Sequence, residues 1–484
     1  MSPAAASRVR TPVPAAVNDG SNGGSKLARR VARRILADVV ERGWQVGEVL
    51  GSEPELVERY GVSRDVFREA VRIVENQQVA IMRRGPGGGL VVSEPTVGAI
   101  IDAAVLYLYR VNAHLAEVVE ARVILEEIVA ELAPTRLDEP DVARVRAHMD
   151  GEASGEVKDH RALHALLASI TKNPALELFV DILNRVMLLY FRGGSSLSPT
   201  TLEASQRAHV QIALAVIGGD SGLARHRMRT HLLAESKFLA ERNVTDLLLP
   251  DTVALDGAAT AKRAEDVARA ITHEVVAGDL PPGYLLGSQN ELVERFGVSR
   301  AVFREAVRLL EHHHVAAMRR GPGGGLFVTA PSVDAVSDVV AVYLTRRGMA
   351  LGDLVELRAG VELALADLAS RRMDNEGLAR LREAARREQE LPVSAFAEGG
   401  HDLHVVIAQL AHNRALELVA LVLIQLFRQH LAQVEVAPAA ARARAAGEVT
   451  KVHGAIVEAL AAGDRELALH RLRRHLEALG RHLH

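Results

Sequence analysis

"YGVSRDVFREAVRIVE" (Tyr60–Glu75) returns 236 residues further on as "FGVSRAVFREAVRLLE" (Phe296–Glu311). Around it, Gly51–Pro95 and Gly287–Pro331 are identical at 32 of 45 positions. Identity sustained over that length marks a duplicated domain, so the chain is read as two halves. In the first, "GSEPELVERYG" (Gly51–Gly61) predicts a short helix with Ser52 as cap and Gly61 as stop. A turn of a few residues then leads to a longer helix capped by Ser63, and two helices joined by a tight glycine-containing turn make a helix-turn-helix. Upstream, "KLARRVARRILADVVERG" (Lys26–Gly43) spaces Leu27, Val31, Ile35 and Val39 at helical intervals. Downstream, "VAIMRRGPGGGLVVSEP" (Val79–Pro95) alternates on both sides of a glycine-rich tip, which predicts a hairpin. Three helices followed by a hairpin predict a winged helix.

From Thr96 to about Asn243 the pattern is helical throughout, and after "VTDLLLPDTVALDGAATAK" (Val244–Lys262) the whole order repeats to His484. The expected fold is mainly α: two winged helix-turn-helix domains, each followed by an all-α helical bundle. The boundaries expected are 1–25 for a disordered tail, 26–95 and 263–331 for the winged helices, 96–243 and 332–484 for the bundles, and 244–262 for a linker. A length of 484 residues suits several cores, and 48% hydrophobic against 25% charged and 3% aromatic residues suits a soluble globular chain. Without cysteine there are no disulfides, thiolate metal sites or cysteine nucleophiles. No apolar run approaches the roughly 18 residues of a membrane span, and the start has no signal-peptide core, so the expected location is the cytoplasm, at the nucleoid. With a formal charge of −3, any nucleic-acid surface must be local.

Arg64, Arg68 and Arg72 recur at i, i+4 and i+8 on the helix after the turn, and Val66, Ala70 and Ile73 are expected to anchor its other side. A helix standing in the DNA major groove reads bases with its N-terminal residues, which favours Ser63, Arg64 and Arg68. Arginine can bridge both acceptors of guanine. Arg83 and Arg84 beside "GPGGG" suit phosphate or minor-groove contact from the wing. The repeat assigns the same roles to Ser299, Arg300, Arg304, Arg308, Arg319 and Arg320. An arginine stripe alone is most often a solvated face. "GPGGG" also lacks the Lys-Ser/Thr ending of a nucleotide-binding loop. The ordered set of helix, turn, capped arginine helix and basic hairpin, present twice, favours DNA.

These two motifs resemble the helix-turn-helix signature of GntR-type bacterial transcription regulators. The helical segments that follow are similar to the FCD effector domain of the FadR subgroup. The resemblance covers the chain from about Lys26, and it places DNA-contacting arginines at Arg64, Arg68, Arg300 and Arg304. Where the family commonly has a further arginine after Ser-Glu, this chain has Pro54 and Asn290, which implies an altered operator or a weaker grip per head.

Histidines form a second constellation. His160 and His164 are four apart, and His209 and His231 are 22 apart; His404, His453 and His475 match the last three in the second half. A single histidine is more often an ordinary hydrogen-bonded or exposed residue, but imidazoles from separate helices of a bundle can hold zinc or nickel. Many members of the subgroup use one Asp and three His, the Asp four before the first His. Here that place holds His160 in the first half and Gly400 in the second, with His401 or Asp402 as off-spacing substitutes. His226 and His470 are read as surface residues. Arg122–Glu126 and Arg358–Glu362 make i,i+4 ion pairs on a predicted helix. The resemblance implies that Arg122 and Arg358 meet an anionic effector, with Asn173 and Asn413 lining the same pocket.

The function expected is that of a one-component regulator, most simply a repressor, with double-stranded operator DNA and a small anionic effector as partners. The effector would be a carboxylate or an acyl-CoA. One chain would imitate the usual homodimer, and further association of two chains stays open. A metal-dependent enzyme in the bundles and an effector-independent DNA-binding scaffold are the alternatives.

Overall fold

The computed structural model describes residues 23–83, 85, 87–157, 159, 161–191, 199–240, 259–319, 321, 323–392, 400–431 and 439–482. Most of the expected N-terminal tail and linker falls outside these. Ala259–Lys262, expected in the linker, instead open a helix. The chain divides into two units, Met1–Glu94 and Pro95–His484.

The first unit contains α1 (Gly23–Glu41), β1 (Val49–Gly51), α2 (Glu53–Tyr60), α3 (Arg64–Asn76), β2 (Ala80–Arg83) and β3 (Gly89–Val92). α1 packs on α3, burying Ala28, Val31, Ala32, Ile35 and Val39. From α3 the anchors are Phe67, Ala70, Val71 and Val74, spaced i, i+3, i+4, i+7. This corrects the expected face: Val66 and Ile73 are only half-buried, because the apolar stripe centres one residue later. A capping bond from the Ser52 amide to Glu55 (2.8 Å) starts α2, and Gly61 stops it at φ 65°.

The wing has three strands rather than the two expected, in the order β1-β3-β2 and antiparallel throughout. β1 is three residues long, too short to show alternation in sequence. Gly89 is needed where it crosses β1, since a Cβ there would lie 2.5 Å from the Gly51 carbonyl oxygen.

The second unit begins with α4 (Val97–Arg110), α5 (Leu115–Arg136), α6 (Glu139–Ser154), α7 (Ala162–Ile170), α8 (Pro174–Phe191), α9 (Pro199–Ile217) and α10 (Ser221–Ala240). The second winged helix follows as α11 (Ala259–Ala277), β4 (Leu285–Gly287), α12 (Gln289–Phe296), α13 (Arg300–His312), β5 (Ala316–Arg319) and β6 (Gly325–Val328). The second bundle is α14 (Asp334–Arg346), α15 (Leu351–Arg372), α16 (Asn375–Glu390), α17 (Asp402–Leu410), α18 (Arg414–Leu431), α19 (Ala439–Ala461) and α20 (Arg465–His482).

One hydrophobic core runs through both bundles, from Ile100 to Leu476. Across their junction the polar contacts are reciprocal. Asn173 Nδ2 donates to the Asp353 carbonyl (2.9 Å) and Glu356 (3.0 Å), while Asn413 Nδ2 donates to the Glu117 carbonyl (3.0 Å) and Glu120 (2.8 Å). Arg136 pairs with Glu356 and Arg372 with Glu120. Such mirrored pairing is the signature of a two-fold interface, here within one chain. The second winged helix is tied to the first bundle: Leu106 of α4 joins its core, and Arg110 donates to the His314 and Thr329 carbonyls (2.6 and 2.8 Å).

Candidate nucleic-acid interface and metal centres

On α3, Ser63 is in extended backbone and its hydroxyl accepts from the Val66 amide at 3.4 Å; Ser299 does the same for Val302 at 3.2 Å. Both serines therefore cap the reading helices. With the opposite face buried, Arg64, Arg68 and Arg72 are exposed, as are Arg300, Arg304 and Arg308. Arg68 is held by Glu53 at 2.8 Å and Arg72 by Glu69 at 2.5 Å. In the second head Arg300 reaches Asn290 (3.3 Å) and Arg308 reaches Glu305 (2.8 Å). Gln289 replaces Glu53 there, so Arg304 has no matching carboxylate. Arg83 and Arg319 are exposed at the ends of β2 and β5, Arg319 stacking 4.4 Å above Phe327. Arg84 and Arg320 lie outside the described residues.

The histidines come together as two buried triads, His164–His209–His231 and His404–His453–His475. In the first, α7, α9 and α10 each supply one ring, and the ring centroids are 4.8 to 5.3 Å apart. In the second, α17, α19 and α20 do so, at 4.7 to 5.5 Å. His209 and His231 approach through Nε2 at 3.3 Å; His453 Nε2 lies 3.2 Å from Nε2 of both His404 and His475. Two of the three outer nitrogens in each triad lie beside carboxylates. Glu126 of α5 pairs with His164 Nδ1, and Glu152 of α6 lies 2.8 Å from His209 Nδ1. Glu362 of α15 and Glu388 of α16 lie 2.6 Å from His404 Nδ1 and His453 Nδ1. At His164, His209 and His453, where the carboxylate is hydrogen-bonded to Nδ1, it holds the proton there and turns the Nε2 lone pair inward. Each inward Nε2 at 3.2 to 3.3 Å from its neighbour can share a proton with it or turn a lone pair to a cation, and three imidazoles converging in this way form a donor set that fits a first-row metal ion.

His160 lies outside the described residues, and Gly400 offers no ligand. His401 is buried near the second triad, its ring 6.2 Å from that of His404, but stands outside the converging group. His226 and His470 are exposed. Arg122 and Arg358 are buried and reach the triads through Glu126 and Glu362: Nε donates to these carboxylates at 2.6 and 2.5 Å. Asn173 and Asn413 require a correction. Their Oδ1 atoms cap α8 and α18, and their amide groups bind the partner bundle, so they are spent on the bundle junction rather than on lining an effector pocket. Glu152 and Glu388 escaped the sequence reading, although they occupy equivalent places in the repeat.

Burial, aided by His164 and His209, pushes His231 down to about 2; burial with His404 and His453 does the same to His475. Both are neutral when folded, whereas a histidine in unfolded chain takes a proton near pH 6.5. Between those values the unfolded state binds more protons, so stability rises with pH and is lost as acid is added. Burial would raise Glu126 and Glu152, but the histidines beside them, with Arg122 at Glu126, hold both at about 2, giving the same sign of slope below about 4.5. The Tm of chelator-treated chain should therefore fall steadily from pH 7 to 5. A flat profile would contradict neutral His231 and His475.

The descriptions "Bacterial regulatory proteins, gntR family" and "FCD domain" match this chain twice each: the former at residues 27–92 and 263–328, the latter at 117–234 and 353–478. The chain belongs to the GntR family of bacterial regulators, with an FCD domain after each winged helix, and is a DNA-binding transcription regulator rather than an enzyme. It is 28% identical over 216 residues to the Exu regulon transcriptional regulator of Escherichia coli K12, a match covering 42% of this chain and 82% of that protein. To the HTH-type regulator LutR of Bacillus subtilis it is 26% identical over 196 residues, 38% of this chain and 89% of that one. Among solved structures, Streptococcus agalactiae GntR matches at 20% identity and TM-score 0.35, covering 45% of this chain and 99% of that one. Most of each of the two curated relatives thus corresponds to under half of this chain. No helix among the described residues is long and apolar enough to cross a membrane.

Proposed function

We propose that this chain is a repressor that places two non-identical reading heads on one operator, and that its bundles hold zinc or nickel and respond to a small anionic effector. The observation that carries the reading is the reciprocal junction of the bundles, in which Asn173 and Asn413 exchange equivalent bonds within a single chain. Two heads on one chain have an effective mutual concentration near the mM range when the connection spans the half-sites. Because Asp65 faces Ala301 and "NQQ" (76–78) faces "HHH" (312–314), the half-sites should differ. In each bundle three imidazoles would hold the metal, which supplies Lewis acidity and an open position for a ligand. Effector binding next to α5 or α15 would shift the balance between DNA-competent and incompetent arrangements; a coupling of roughly 1–3 kcal/mol makes a usable switch.

The test is selection on random duplex DNA followed by measurement of the complex's mass on the enriched site. One chain on two unequal half-sites is the expected result. Two chains per site, each using one head, would overturn it. Absence of any enriched sequence at low salt would remove the operator altogether.

A further inference from the structure

The two bundles treat their buried arginine differently. In the first, Arg122 is paired twice from within: Nε donates to Glu126 and Nη1 to Glu235 of α10, both at 2.6 Å. In the second, Arg358 donates through Nε to Glu362, but among the described residues Nη1 and Nη2 have no partner, although the side chain is only 2% exposed. The reason is one substitution. Glu235 stands four residues after His231, and the residue four after His475 is Leu479.

Nearby residues diverge in the same sense. The guanidinium of Arg358 lies 4.5 Å above the ring of Phe427, where the first bundle has Met187. His401 sits edge-on to the same ring at 5.8 Å, and its buried Nδ1 also lacks a partner among the described residues; its counterpart, Arg161, is exposed enough to pair with Asp159. A buried guanidinium with two idle donors is costly in a folded protein unless something else completes it. Two parallel N–H groups beside an aromatic face suit an oxyanion received side-on.

We propose that the bundles have divided their work: the second takes one oxyanion on Arg358, and the first is closed to such a ligand by its own carboxylate, Glu235. The chain then carries one anion site, one carboxylate away from the His404 triad through Glu362. This rests on the reading above that the bundles respond to an anionic effector, and it names which bundle does so. The group received is an oxyanion, carboxylate or phosphate, since the guanidinium fork accepts either.

Full-length chain, as purified with its metal, is titrated calorimetrically with succinate and, separately, with inorganic phosphate, in the absence of DNA. The wild type should take up one equivalent of at least one of these, and which one identifies the group. Leu479→Glu rebuilds the internal carboxylate: it should abolish uptake and raise Tm, because it completes Arg358. Arg358→Met should abolish uptake as well, with the triad intact. Glu235→Leu should raise uptake to two equivalents. The assignment is overturned by no uptake of either anion, by two equivalents in the wild type, or by a Leu479→Glu chain that folds yet binds as before. Uptake that behaves as described but leaves operator affinity unchanged supports the assignment while removing the effector reading, so the two fail separately.

Discussion

Replacing Arg300 and Arg304 together by alanine should cost about 10²–10⁴ in operator affinity, the gain that tethering gives two heads over one. Each arginine that bridges a guanine contributes roughly 1–3 kcal/mol of discrimination, so the pair alone could account for such a loss. The equivalent change at Arg64 and Arg68 should cost less. Arg68 must leave Glu53 before it can turn to DNA, whereas Arg304 has no such carboxylate. An exposed pair of this kind contributes about 1 kcal/mol at most, which limits the difference between heads to about fivefold. Glu53→Gln, which copies the second head, should recover part of it. The measurement is fluorescence anisotropy on the selected operator at fixed salt, with a scrambled duplex as control. If either double variant stays within threefold of the wild type, that head does not read the site.

The reading helices and the triads were legible because both are local or repeated. Ser63, the turn and Arg64/Arg68 stand within a few residues, and the spacing of His209 to His231 recurs unchanged between His453 and His475. What stayed hidden is set by long-range partners. Asn173 looks like a pocket residue when counted from His164, but its role depends on Glu356, 183 residues away. Glu152 and Glu388 lie on α6 and α16, and no periodicity says that these helices face α9 and α19. Comparing the repeats for identical acids would have found them, just as comparing for differences exposes Glu235 against Leu479. The third wing strand was missed for the opposite reason: three residues carry no pattern, and β1 exists only because β3 offers it an edge. The shift of the α3 anchor to Phe67 and Val74 shows how little an apolar spacing alone says about the centre of a stripe.

His453→Ala should lower the zinc content of dialysed chain from two ions to one, leaving the first triad loaded. His453 is the hub of its triad: its Nε2 lies 3.2 Å from both other rings, and Glu388 fixes its far side. Removing it leaves two imidazoles. If a structural zinc site binds with about 10–16 kcal/mol through four ligands, the loss of one is worth roughly 3 kcal/mol, or more than a hundredfold in affinity. Changes at Glu388 separate ligation from support. Glutamine keeps an oxygen that can accept from Nδ1–H, so Glu388→Gln should weaken metal only near the lower end of the 10–100-fold range for supporting residues. Methionine keeps none, and the imidazole is then free to move its proton to Nε2, where the lone pair is needed. Glu388→Met should therefore fall between Glu388→Gln and His453→Ala. Equal effects of glutamine and methionine would mean that charge, and not the proton's position, is what Glu388 supplies. Failure of the wild type to retain zinc or nickel at all would remove the metal from both bundles.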